Sequence, residues 1–340
     1  MPKSAQKDSK NQTTMTDVAR HAGVSQMTVS RVMRGHGYVS DDIRQRVMNA
    51  ANTIGYVHNR LAGAVSGYDN ALVGVILPTL QNRVFTEVMS GINETLEKVG
   101  IRPVFGVTEY LADAEEKIAM DLLKWRPSGL IMTGLEHSDH FRSMIEKTGV
   151  RTVEIMDVDG EPVSDCVGFS HTAVGTQMAQ HLLARGHRAV AYVASLDGRD
   201  LRAAKRFDAF VKTLAEGGGH LVEHCLTEGP SSMPAGQQVT RDLLAKHRHL
   251  DAIYFSNDDL AAGGMLHCLA EGISVPHDLA LAGFNGLGFL DAFPMRLTTT
   301  QTPRFQIGVE AAKLIANPAI AHSEPRAVDL GCVLVEGETT

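Results

Sequence analysis

Three side chains near the start of one short segment, Gln26, Met27 and Arg31, are of the types that read nucleic-acid bases. Arg31 can pair its guanidinium with the edge of a guanine, Gln26 can hydrogen-bond base edges, and Met27 offers an apolar face to a thymine methyl. Around them Thr16, Ser25, Thr28 and Ser30 carry hydroxyls suited to phosphate contacts that fix register. Such residues must project from the first turns of a helix, and the run Thr16 to Met33, TDVARHAGVSQMTVSRVM, supplies one. Val18, Ala19 and Ala22 are spaced to bury one face of a first helix, with Thr16 as its N-cap. Gly23 gives the corner and Val24 fills the space between helices. Ser25 caps a second helix through Thr28, Val29 and Val32, leaving Gln26, Met27, Ser30 and Arg31 outward. This is the design of a helix-turn-helix, although the spacing alone also fits an ordinary helical hairpin.

The net charge of −7 over 340 residues argues against nucleic acid until its distribution is read. Residues 1–61 hold nine Lys/Arg against four Asp/Glu, a net of +5, which leaves −12 on the rest. A basic head on an acidic body suits a protein whose small N-terminal module alone meets phosphates. Residues 1–14, rich in Lys, Ser, Gln and Asn, are expected to be a disordered tail without the apolar stretch of a signal peptide. No run approaches a membrane span. Cys166, Cys225, Cys268 and Cys332 are scattered without C-x-x-C spacing and read as idle thiols of a reducing cytoplasm. No metal or cofactor is expected.

Residues 15–60 are expected to form the head and 61–70 a connector containing Gly63, Ser66 and Gly67. From Ala71 to Thr340 apolar runs alternate with amphipathic stretches of 10–15 residues, the pattern of βαβ units and parallel sheets. Leu72–Leu77, Arg102–Val107, Gly129–Thr133, Arg151–Ile155, Ala189–Ala194, Ala252–Ser256 and Leu279–Gly283 read as strands. Two doubly wound halves, split near residue 160, give a two-lobed body with a cleft at the strands' carboxyl ends. The chain is expected to cross back to the first lobe near 300, ahead of a tail segment.

The string T-D-V-A-x-x-A-G-V-S-x-x-T-V-S-R-V resembles the lactose/galactose-repressor family of bacterial transcription regulators. The likeness continues through IRQRVMNAANTIGYVHNR (Ile43 to Arg60), ALVGVILP (Ala71 to Pro78), SNDDLAAGG (Ser256 to Gly264), GISVPHDLALAGF (Gly272 to Phe284) and FPMRLTTTQTP (Phe293 to Pro303). It implies an all-α helix-turn-helix head on a periplasmic-binding-protein-like α/β body, acting as a homodimer on a pseudo-palindromic operator in double-stranded DNA. Gln26 and Met27 occupy the positions that the family uses to choose bases. The connector resembles the family's hinge helix, where Asn59 matches the pattern and Val65 stands at the apolar wedge position that enters the minor groove. Gly63 weakens that helix by up to about 1 kcal/mol relative to Ala.

The resemblance also implies an effector cleft between the lobes. Arg206 falls at a recurrent arginine position, with Arg202 as the alternative register. Asn257 and Asp157 match pocket positions, and Phe85 is expected on the floor with Thr79 and Arg83 beside it. Two departures stand out. Asn285 replaces a common acidic residue in GFNG, which keeps hydrogen bonds but removes a charge that would repel an acid. Ser231 or Ser232 stands where an aromatic often stacks on a sugar ring. VILPTLQNRVFTEVMSGI, VEIMD and GFNG resemble the gluconate-operon repressor branch, which implies a sugar-acid effector such as gluconate or 2-ketogluconate. A neutral sugar or another metabolite is the alternative. An enzyme acting on a sugar acid lacks support, because no G-x-S-x-G, Walker or HExxH motif occurs. The histidines, including HSDH (His137 to His140) and HRH (His247 to His249), read as solvated.

Overall fold

The computed structural model describes residues 13–34, 37–57, 71–195, 199–317 and 325–340. The chain divides into two compact units, residues 1–70 and 71–340. In the first, α1 (Met15–Ala22), α2 (Gln26–Arg34) and α3 (Asp41–Thr53) close on Val18, Val29 and Val47, all fully buried, with Ala19, Ala22, Val32, Ala50 and Ala51 around them. Gly23 takes the left-handed conformation (φ 65°) that turns the chain from α1 towards α2. The Ser25 hydroxyl accepts from the Thr28 amide at 3.1 Å and caps α2. Arg46 on α3 donates to the Ala22 carbonyl at 2.7 Å, satisfying the end of α1.

Thr14, not Thr16, caps α1. Its hydroxyl accepts from the Asp17 amide, and the Asp17 carboxylate accepts from the Thr14 amide at 2.9 Å. An acceptor side chain three residues after the cap completes this reciprocal pair, and Asp17 stands at that distance from Thr14. Thr13 and Thr14 therefore belong to the head and not to a tail. The hinge residues Asn59 and Val65 lie outside the described residues, as does the whole connector.

The second unit begins with β1 (Leu72–Leu77), α4 (Arg83–Glu97), β2 (Arg102–Val107), α5 (Ala112–Lys124), β3 (Gly129–Thr133), α6 (Asp139–Thr148), β4 (Thr152–Ile155) and β5 (Asp165–Gly168). It continues through α7 (His171–Ala184), β6 (Ala189–Ser195), α8 (Leu201–Glu216), β7 (His220–Thr227), α9 (Met233–Lys246), β8 (Ala252–Phe255), α10 (Asp258–Glu271) and β9 (Ala280–Ala282). Last come β10 (Thr299–Gln301), α11 (Arg304–Ala316), β11 (Ala327–Asp329) and β12 (Val333–Val335). Two parallel sheets result, β11-β5-β4-β3-β1-β2 and β7-β6-β8-β9. Their central strands are buried throughout, which is why LVGVIL and AVAYVAS are unbroken apolar runs.

The lobes part after Gly168 and not near 160, because β5 pairs with β4 in the first sheet. Nor is the segment after the return crossing a tail. There α11 packs on α4, β11 extends the first sheet beside β5, and β12 pairs antiparallel with β10. The α4–α11 approach is close: a Cβ on Gly91 would lie 2.2 Å from the Phe305 carbonyl oxygen, and one on Gly308 2.2 Å from that of Val88. The chain thus passes between the lobes three times, at 168–171, 301–304 and 330–333.

His137 is not solvated. Its ring is 1% exposed, with Nδ1 2.9 Å from Glu115 on α5 and Nε2 3.3 Å from Glu154 on β4. Burial works against the charged ring, but the two carboxylates outweigh it and push its pKa up from 6.5 to about 9. A pKa raised by folding contributes stability that is present below 6.5 and is lost as pH rises through about 9. That shift corresponds to at most about 3 kcal/mol. The difference in melting temperature between the wild type and His137→Gln should therefore be largest at pH 6.5 and shrink by pH 9.5. A constant difference would show that the ring carries no such charge.

Candidate functional site

Each unit holds its own candidate surface. On the head, Gln26, Met27 and Arg31 are exposed along one side of α2, with Met27 66% accessible although it is apolar. The Arg31 guanidinium lies 3.9 Å from the Met27 sulfur one turn earlier, so the two form a single projecting unit. The Ser25 and Thr28 hydroxyls bond each other at 2.8 Å, and Ser30 is half-buried. Thr16 is exposed one residue inside α1.

In the body, the carboxyl ends of both sheets border one cleft. An outer chamber of about 510 Å³ is lined by Thr79, Arg83 and the Gly229–Pro234 turn, among others. It shares Asn82, Tyr110, Ser231 and Asn257 with a narrow inner chamber lined by Phe85, His171, Arg202, Arg206, Phe284 and Asn285. All but Arg206, in the second turn of α8, follow the end of a strand or open the next helix, the expected place for a ligand in such sheets. Asn82, Ser232 and Asn257 cap α4, α9 and α10 through their side chains. Asp200 stands at the cap of α8, so the partial positive ends of four helices surround the cleft.

Arg206 is 3% exposed. It donates to His171 Nδ1 at 2.8 Å and to the Ser256 carbonyl at 3.3 Å, and it lies 3.8 Å above the Phe284 ring. His171 in turn donates from Nε2 to the Met156 carbonyl at 2.8 Å. Burial first, then the Arg206 charge, push the His171 pKa well below the ordinary value, so the ring is neutral. Arg202 also lines the inner chamber, ion-paired to Asp200 at 3.2 Å and 5.9 Å from the Phe85 ring centre. Burial would raise the Asp200 pKa, but Arg202 and then Arg206 hold it below the usual carboxylate value. Both arginine registers therefore reach the cleft.

Asn257 serves two purposes. Its carbonyl caps the Leu260 amide at 3.1 Å, while its amide donates to Ser231 at 2.5 Å. Ser231 also meets Ser195 at 2.7 Å, which makes it the serine that faces both chambers while Ser232 is committed to capping. Thr79 accepts from the Gln81 amide, and Arg83 lies 5.1 Å from the Phe289 ring centre at the outer rim. Asp157 departs from expectation. It is fully buried and lines neither chamber, its carboxylate taken by Lys205 at 2.6 Å and the Asp159 amide at 2.8 Å. Its burial raises its pKa against the pull of Lys205. Tyr110, His171 and Asp200 went unnoticed in the sequence. Glu109, Tyr110, Met156 and Asn285 adopt φ of 50°, 60°, 74° and 116°, strained values gathered around the cleft.

Among the described residues no group of His, Cys, Asp and Glu could hold a metal ion, and no helix is long and apolar enough to cross a membrane.

Residues 14–59 match the family described as "Bacterial regulatory proteins, lacI family", and residues 70–333 match "Periplasmic binding proteins and sugar binding domain of LacI family". The HTH-type transcriptional regulator GntR of Pseudomonas aeruginosa is 38% identical over 96% of this chain and 95% of its own length. Its namesake in Escherichia coli K12 is 33% identical over 96% and 98%. A solved LacI-family transcriptional regulator from Silicibacter pomeroyi superposes with a TM-score of 0.91 at 42% identity, covering 96% of this chain and 99% of that one. The lac repressor dimer bound to operator and an anti-inducer gives a TM-score of 0.81 at 25% identity, over 96% and 98%. With two family descriptions spanning head and body, and relatives named as regulators and not as enzymes, the chain belongs to the LacI family of DNA-binding transcriptional repressors.

Proposed function

We propose that this repressor acts in the cytoplasm as a homodimer on a pseudo-palindromic operator and controls genes of sugar-acid catabolism, with gluconate or 2-ketogluconate as effector. The observation that carries this reading is the charge of Arg206. It is buried against a neutral histidine and a carbonyl, with no carboxylate in ion-pair reach among the described residues. Arg202 has Asp200, so the inner chamber holds two guanidinium charges and one carboxylate. A monocarboxylate supplies the missing counter-charge, and a buried charge left unpaired is costly. The helix N-termini around the cleft favour an anion in the same sense. Arg206 lies over one face of Phe284, and Arg202 approaches Phe85, so these two rings face cations. Ser231, Asn257 and Asn285 offer hydrogen bonds to hydroxyls.

Calorimetric titration of full-length protein with aldonic acids, neutral hexoses and purines should rank gluconate or 2-ketogluconate first, and preference for a neutral sugar refutes the acid. Arg206→Gln should weaken acid binding by about 10- to 100-fold, the worth of a charge-assisted bond. In the head, Arg31→Ala should cost about 1–3 kcal/mol of operator affinity and relax the choice at one base pair. Fluorescence anisotropy with single-base operator variants at fixed salt reads this out, and an unchanged base preference would remove Arg31 from the reading surface.

A further inference from the structure

The loop that carries Asn285 follows β9 in the second lobe, yet its backbone is gripped by a side chain from the first. Arg304, at the start of α11, is 4% exposed. Its Nη1 donates to the Asn285 carbonyl and to Thr302 Oγ1 at 2.9 Å; its Nη2 donates to the Gly286 carbonyl at 3.2 Å and to Glu87 on α4 at 2.9 Å. The other side of the loop is held from within its own lobe. Asp258, at the start of α10, accepts from the Leu287 amide at 2.8 Å and from Thr299 at 2.7 Å. These bonds maintain Asn285 at φ 116°, a conformation it would not keep unaided. Glu87 and Arg304 move as one piece, because α4 and α11 touch backbone to backbone at Gly91 and Gly308.

Rotation of the first lobe against the second has two options at this point. It carries the 285–286 peptide along, or it breaks the Arg304 fork. A planar guanidinium bridging acceptors on both lobes converts a lobe movement into a displacement of Asn285, and the reverse. We propose that Arg304, oriented by Glu87, is a positioning residue that couples occupancy of the cleft at Asn285 to the relative orientation of the lobes. In its effector arm this rests on the sugar-acid reading above. Linkage makes the coupling reciprocal, so what the ligand does to the lobes the lobes do to the ligand.

Glu87 is the site to probe, since its side chain is 46% exposed and does not line the inner chamber. In full-length protein without ligand, Glu87→Ala should speed hydrogen exchange in the 283–290 segment by about tenfold, while Glu87→Gln, which keeps an acceptor, stays near wild type. Equal protection in the two variants overturns the latch. With gluconate as probe, Glu87→Ala should bind it within about threefold of wild type, and Arg304→Lys is compared for its operator response alone. They should lose about fivefold or more of the gluconate-induced change in operator Kd, and Glu87→Gln should keep it. A Glu87→Ala protein that answers gluconate like wild type also overturns the proposal. A wild type indifferent to gluconate would instead fail the effector reading, and the exchange experiment would still decide the latch.

Discussion

One buried positive charge, on Arg206, sets terms that the surrounding residues meet. For its guanidinium to reach His171, α7 and α8 must nearly touch, and they do so at Gly175, where a Cβ would lie 2.1 Å from the Arg206 carbonyl oxygen. His171 must be neutral to accept, and burial beside that charge makes it so. Its remaining nitrogen must donate, and the strained Met156 turns its carbonyl to receive it. Phe284 lends its ring face to the cation. All these partners are uncharged, so the guanidinium is a desolvated cation held by neutral hydrogen-bond acceptors and a ring face. Under the proposed function an acid relieves the cost of that desolvation, so its affinity comes from a penalty built into the protein as well as from new contacts.

The head works under different rules. Its core is eight buried residues, all Val or Ala, which is enough to fix the angle of α1, α2 and α3 and little more. Small side chains let the helices cross closely, so α2 can carry Gln26, Met27 and Arg31 outward without giving up apolar surface needed inside. Met27 is the telling case. It is 66% exposed beside Arg31, which fits the contact proposed for it with a base. The positive head and the acidic remainder divide labour by charge, with the −12 of residues 62–340 keeping the larger unit off phosphates.

Much of this was legible in the residues. Apolar runs such as LVGVIL and GLIMT mark central parallel strands because both faces are buried. What escaped has physical causes. The four residues of β5, DCVG, are too few to show a period, and missing them shifted the lobe boundary. The whole of α11 shows only a weak apolar stripe because it is buried on several sides. Thr16 looked like a cap by type, but the choice between Thr14 and Thr16 turned on the acid three residues downstream. Asp157 looked like a pocket residue by position, and Lys205, distant in sequence, took its carboxylate. His137 hid in a polar string, since pairing with Glu115 and Glu154 is decided by tertiary neighbours and not by local hydropathy.

Strain is placed with equal economy. The non-glycine residues forced to positive φ at the cleft, Glu109, Tyr110, Met156 and Asn285, follow the ends of strands β2, β4 and β9 within a few residues. A strained residue persists only where its surroundings over-determine it, and parallel strands in fixed register provide that rigidity up to their last residue. Beyond it the loops are short, and the one that carries Asn285 is anchored by Arg304. The cleft is therefore built in advance from both lobes. The lobes are joined there by three chain passages, the Arg304 fork and the bonds of Lys205 to Asp157 and the Asp159 carbonyl.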